Sequence, residues 1–394
     1  MSIYKSNSLN YLFLIIPIFT VCGSLKAQIL TGAEQTTQYF PLLKEKRIGL
    51  VINPASKIKN TLLVDSLIIS GFKIKKIFFP EHGFRGNADA GEALANFMDK
   101  PTGLPAIALY GKHIMPDSAD LSGLDLIVFD LQDVGVRFYT YLSTLHYVIK
   151  ACAHYGIPLL ILDRPNPNAA LVEGPVLESA YSSFVGLDPV PILYGMTIGE
   201  YGQMLSGENW IHEIKPCRLR VIPIANYNHS ISYSLPTIPS PNLPNDRAIA
   251  LYPSLCLFEG TQISVGRGTD FPFQVFGSPD LEYTSFCFKP VGLAGKSKHP
   301  LYEDRLCYGY DLSQIAYYQK GDSGYGLNLG WLIKAYQNYT GIKPFFNSYF
   351  NKLAGNTTLR YQIEMRFSAQ KIQDSWKPGL TQFLAIRKKY LIYP

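Results

Sequence analysis

At 394 residues and 44.1 kDa the chain exceeds one ordinary domain and suits two. Hydrophobic residues at 47% against 17% charged supply a large core and exclude global disorder. The net charge of +6 is spread without a dense basic run, which excludes a nucleic-acid footprint, while 27 Tyr, 22 Phe and 3 Trp outnumber 36 Lys and Arg, a balance suited to neutral or weakly polar ligands.

In chain order, residues 1–27 read as a secretory signal. Lys5 gives a short positive start, Tyr11 to Leu25 is mostly apolar and uncharged, and Leu25-Lys26-Ala27 resembles a cleavage site. The apolar stretch, about 15 residues with Pro17 near its middle, is short for a spanning helix. Cys22 raises lipoprotein anchoring, against which Val21 stands where a small residue is needed. No later stretch is apolar enough to cross a bilayer, so the expectation is export to the periplasm without stable membrane insertion. Cys152, Cys217, Cys256, Cys287 and Cys307 remain, an odd number without CxxC spacing. Metal knuckles and thioredoxin chemistry are unsupported; one disulfide is possible, and the sequence does not assign it.

From Arg47 strand and helix alternate. Ile48 to Ile52, Ile74 to Phe79, Leu126 to Asp130 and Leu159 to Asp163 are short apolar runs. Thr61 to Ser70 and Tyr141 to Tyr155 carry helical spacing between them. Strands apolar throughout, separated by helices, predict a parallel sheet covered on both faces, with ligands outside the strands' carboxyl ends. A boundary falls in the proline-rich stretch from Leu235 to Pro244. The reading is therefore an α/β domain over residues 28–245 and a smaller α+β domain over residues 246–394.

Polar residues cluster at the expected carboxyl ends. One loop carries Glu81, His82, Arg85 and Glu92; the next carries Asp130, Gln132, Asp133, Arg137, Tyr139 and Tyr141; a third carries Asp163, Arg164, Asn166 and then Glu173. Glu81 and Glu92 are close enough in sequence for one loop to present both to a cleft, where two carboxylates can divide acid and base roles. Each acid could equally cap a helix or brace a turn. Arg85, Arg137 and Arg164 could read an acidic substrate group or hold Asp130, Asp133 or Asp163. His82 has no second His at ligand spacing, so no metal is expected. Two SxxK matches, at Ser56 and Ser70, lack the SDN and KTG companions of serine β-lactamases, and there is no GxSxG elbow. Gly266-Arg267-Gly268 lacks the third glycine of a dinucleotide loop, so no cofactor is expected.

The runs FFPEHGFRG, AGE, TGLP, LYG, VFDLQDVGVRFYTYLST, LDRPNPN, VEGPVL, SFVG, YGMTIGE, PSPNLP, YPSLCLFEGT and SVGRGTDFPF resemble, in order, the exo-β-N-acetylmuramidase family of bacteria. That family was formerly a domain of unknown function and is now a glycoside hydrolase family. Phe383 and Arg387 to Leu391 look like its closing helix, so the likeness spans nearly all residues after the signal segment. The resemblance implies a Rossmann-like N-terminal domain holding most of the active site and an ancillary C-terminal domain closing the cleft. It implies release of terminal non-reducing N-acetylmuramic acid from peptidoglycan-derived muramyl oligosaccharides, with the family's glutamates falling on Glu81 and Glu92. It also brings Asn242 and Arg267 into the site through PSPNLP and SVGRGTDFPF. Asn168 replaces a common glycine and Leu243 a common Met. A muramic lactyl carboxylate suits an Arg, and Tyr139 or Tyr141 could pack on an acetamido face. The alternative from another class is a non-catalytic periplasmic muropeptide-binding protein.

Overall fold

The parallel sheet forms from the runs whose side chains are apolar on both faces. Its strands are β1 (Arg47–Ile52), β2 (Lys73–Phe79), β3 (Phe97–Asp99), β4 (Leu104–Ala108), β5 (Leu126–Asp130), β6 (Leu159–Leu162) and β7 (Leu219–Ile222). Our computed structural model describes residues 28–81, 83–85, 95–322 and 324–394. The strand order is β7-β6-β5-β1-β2-β4-β3, parallel except for the β3–β4 pair. Leaving out β3, this is the doubly wound order, with its switch point between β1 and β5.

Helices α1 (Thr36–Leu43) and α2 (Leu63–Ile69) share one core with Ile48, Leu50, Ile52, Leu126 and Val128. Helices α3 (Tyr141–Tyr155) and α4 (Ile198–Gly207) share the other with Val51, Ile127 and Phe129. Alternate residues of one strand thus enter different cores, which is why these strands are apolar at every position. The segment expected to be helical from Thr61 starts its helix at Leu63, because Lys57–Ile58 and Thr61–Leu62 pair as a small hairpin. β3, β4 and β7 were not expected. Pro105 argues against a strand in β4, and β7 is an edge strand with only Ile222 fully buried.

The C-terminal half supplies α5 (Asp246–Leu255), an antiparallel sheet of order β8 (Val275–Ser278), β10 (Cys307–Asp311), β9 (Phe286–Phe288), and the long closing helix α6 (Ala369–Arg387). The Arg387 Nε donates to the Gly195 carbonyl at 2.8 Å, tying α6 to the first half. No helix among the described residues is long and apolar enough to cross a membrane. The five described cysteines are unbridged, and Cys152 is buried as a small hydrophobe.

Candidate active site

Register places the site. Ile52 pairs with Asp130, so β1 and β5 release their loops side by side at the switch point, and β2 releases Glu81 next to them. Glu81 lines a cleft of about 430 Å³ with Phe138, Tyr139, Thr140 and Tyr141. Ser240, Asn242, Leu243, Tyr252, Arg267 and Phe273 complete the lining, Tyr252 packing edge to face on Phe138 and Tyr139. Two larger cavities lie off the loop that holds Glu81, so size alone does not mark the site.

Hydroxyls orient the glutamate. Tyr110 hydrogen-bonds the Glu81 carboxylate, Thr140 Oγ1 approaches Oε2 at 3.5 Å, and Tyr141 donates to the Glu81 carbonyl at 3.4 Å. Tyr139 and Tyr141 pack edge to face at 4.7 Å between ring centres, and Tyr139 donates to the Pro239 carbonyl at 2.8 Å. These contacts fix a rigid aromatic wall beside a carboxylate, the surface on which a sugar ring stacks. His82 and Glu92 lie outside the described residues.

The other predicted polar residues sit beneath or beside this wall. Arg164 holds Asp130 in a bidentate pair at 2.5 and 2.9 Å, with both side chains buried. Gln132 donates to the carbonyls of Asp133 and Pro165, both at 2.8 Å, and Asn166 donates to that of Met196 at 2.8 Å. The Pro165 and Met196 contacts stitch neighbouring loops together. Asp133 accepts from Tyr194 and from the Gly135 amide at 2.6 Å, and burial pushes its carboxyl up to about 6. Arg85 pairs with Asp99 at 2.7 and 2.8 Å and reaches Asp65 at 3.5 Å. Glu173 accepts from the Leu327 amide at 2.8 Å.

Arg137 has no carboxylate among its hydrogen-bond partners. It donates to the carbonyls of Pro175, Val190, Leu353 and Ala354 at 2.7–2.9 Å, and burial lowers its pKa to about 9. It therefore clamps the two halves together beside the cleft.

Asp163 lies fully buried, outside the cleft lining, and organises a network of its own. Its Oδ1 accepts from the amides of Arg164 and Gly199 at 3.0 and 2.8 Å. Its Oδ2 accepts from Thr197 and Tyr393 at 2.7 and 2.6 Å. A Cβ on Gly199 would lie 2.7 Å from the Asp163 carboxyl carbon, so this approach requires glycine. Glu200, buried beside it, accepts from the amides of Ile392 and Tyr393 at 2.8 and 3.2 Å. Burial pushes Asp163 up to about 7. Because the folded pKa values of Asp133 and Asp163 exceed the unfolded ones, their stabilisation is complete below about pH 4 and is lost as pH rises through 6 and 7. The ion-paired acids Asp99 and Asp125 are lowered by Arg85 and Arg47 and titrate below that window. Thermal unfolding should therefore show a higher midpoint at pH 5 than at pH 8. Asp163→Asn keeps two acceptor contacts and two polar neighbours, and should flatten that slope. An unchanged slope in the variant would remove Asp163 from the account.

Sequence reasoning missed Tyr110, Thr140, Ser240, Tyr252, Phe273 and Glu259. Each lies inside one of the recurring runs, which was the available signal. A grouping with metal-ligand chemistry, His113, Asp117 and Asp120, serves as a helix cap, with Asp117 accepting from the Asp120 amide at 2.9 Å.

A carboxylate set among hydroxyls and aromatic rings, at the switch point of an open α/β sheet, defines a carbohydrate-processing class of site. The chain belongs to the exo-β-N-acetylmuramidase NamZ family, whose N-terminal domain matches residues 48–247 and whose C-terminal domain matches residues 250–393. It is similar to the peptidoglycan β-N-acetylmuramidase NamZ of Bacillus subtilis (strain 168), with 38% identity over 93% of this chain and 92% of that protein. Two solved DUF1343 family proteins of Bacteroides fragilis NCTC 9343 share the fold. One superposes with a TM-score of 0.86 at 43% identity, the other with 0.77 at 26%. Each match covers 93% of this chain and 99% of the solved one.

Proposed function

We propose that this protein is an exo-acting glycoside hydrolase that releases terminal non-reducing N-acetylmuramic acid from peptidoglycan fragments during cell-wall turnover and recycling. The observation that carries the reading is the Glu81 cleft at the sheet's switch point, in a chain of the exo-β-N-acetylmuramidase family. Residue types in the cleft fit the substrate: rings for the sugar face, a carboxylate for the glycosidic bond, and a guanidinium for an acid. The signal-like pattern of residues 1–27 supports export to the periplasm, where the polymer lies. There the partners are muramyl oligosaccharides.

Mass spectrometry of a muropeptide digest tests the activity, using protein recovered from the periplasmic fraction. Loss of terminal N-acetylmuramic acid is expected, together with an intact protein mass lacking residues 1–27. Fragments that are bound but unaltered would replace the enzyme with a muropeptide-binding protein. A full-length mass in the cytoplasmic fraction would overturn the export proposal alone.

A further inference from the structure

The substrate class proposed above sets a recognition problem. N-acetylmuramic acid differs from N-acetylglucosamine by one group, a lactyl ether whose carboxylate is ionised at neutral pH. Preference for muramyl ends therefore needs hydrogen-bond donors placed where that carboxylate falls, and a guanidinium is the side chain best matched to it.

Four arginines belong to the site loops, and among the described residues only Arg267 is in the lining of the Glu81 cleft. Arg164 is bound bidentately by Asp130, Arg85 by Asp99, and Arg137 by four carbonyls. Arg267 differs. It lines the cleft with Tyr139 and Tyr141, and its side chain is half-buried. Its Nε and Nη2 both meet one oxygen of Glu259, at 2.8 and 2.7 Å, while its carbon stem turns the guanidinium over the Phe273 ring at 5.0 Å. Nη1 has no hydrogen-bond partner among the described residues. The single-oxygen contact holds the guanidinium plane without occupying every donor. Asn242, also in the lining, has a buried Oδ1 without a hydrogen-bond partner, an acceptor free for an N–H or O–H of the sugar.

Resting on that reading of the reaction, we infer that Arg267 binds the lactyl carboxylate and sets the preference for muramyl over N-acetylglucosaminyl ends. Charge also orients the ring. The Arg267 guanidinium draws the lactyl carboxylate to its part of the lining and so fixes which way the ring lies in the cleft. Arg267 is then a specificity-determining residue, and Glu259 positions it.

The test uses aryl N-acetylmuraminide as the free acid, its lactyl methyl ester, and aryl N-acetylglucosaminide. Wild type should favour the free acid over the ester about tenfold to hundredfold in kcat/KM, the range for one charge-assisted hydrogen bond. In Arg267→Met that ratio should fall toward one through a raised KM for the acid, and Arg267→Lys should recover part of it. A merely bracing role would lower both substrates together, so a retained acid-over-ester ratio in Arg267→Met overturns the assignment. Wild-type protein that turns over none of the three overturns the proposed reaction itself. Wild type that hydrolyses acid, ester and N-acetylglucosaminide alike leaves the reaction standing and removes lactyl recognition.

Discussion

Glu92→Gln is expected to lose about 10²–10⁴ in rate on a muramyl disaccharide while losing far less on an aryl muraminide. A general acid matters only when the leaving group needs a proton, and an aryl oxide needs little help. The structure bears on this through the other glutamate. Just beyond β2, Tyr141 holds the Glu81 backbone carbonyl while Tyr110 and Thr140 meet its carboxylate. That rigidity suits a group acting on the ring side, as base, nucleophile or acetamide orienter. Glu81→Gln should accordingly depress turnover of both substrates by similar factors. Steady-state kinetics on the two substrates decides the matter. If the leaving-group dependence appears in Glu81→Gln and not in Glu92→Gln, the roles are exchanged. Retention or inversion follows from the carboxylate separation, roughly 5–5.5 Å or 6.5–9.5 Å, and from whether the acetamide takes part.

The second large effect concerns stability. Asp130 and Arg164 form a buried bidentate pair at the carboxyl ends of β5 and β6, and the Ser56 hydroxyl donates to the Asp130 carbonyl. Removing one member of a buried pair costs about 3–5 kcal/mol, because the other charge is left uncompensated. The two halves of the pair should not be equivalent. A stranded carboxylate can take up a proton, whereas a stranded guanidinium cannot lose one at ordinary pH. Asp130→Asn should thus be severe at every pH, and Arg164→Met milder in acid than at neutral pH. The double variant should be less damaged than Asp130→Asn alone. Urea unfolding at pH 5 and pH 8 reads all three. Additive losses in the double variant would show that the two residues act independently, against the pairing seen here.

Much of the first half was legible in the sequence because its central strands are buried on both faces. β1 and β5 feed alternate side chains into separate cores, and nothing but an apolar run satisfies that demand. β4 and β7 escaped notice for opposite reasons, a proline inside one and a half-exposed edge in the other. The clustering of acids at strand ends was legible too, but their division of labour was not. Whether Asp133 and Asp163 face a cleft or lie under it depends on Tyr194, 61 residues away, and Tyr393, 230 residues away. Local spacing carries no information about such partners. Arg137 shows the same limit: among acids in sequence, it finds carbonyls in space.

The seating of Tyr393 against Asp163 changes how the two halves relate. Its hydroxyl also accepts from the Ile224 amide at 2.8 Å, while Glu200 takes the amides of residues 392 and 393. A strand-end acid of the sheet is therefore completed by chain made long after the sheet itself. Cutting between residues 247 and 250 would take from Asp163 its Tyr393 donor and from Glu200 the amides of residues 392 and 393, leaving Asp163 with Arg164, Gly199 and Thr197 alone. During synthesis the same holds: Asp163 has its donors from residues 164, 197 and 199 early and gains the Tyr393 hydroxyl last, so the tail closes over the sheet like a bolt through two leaves.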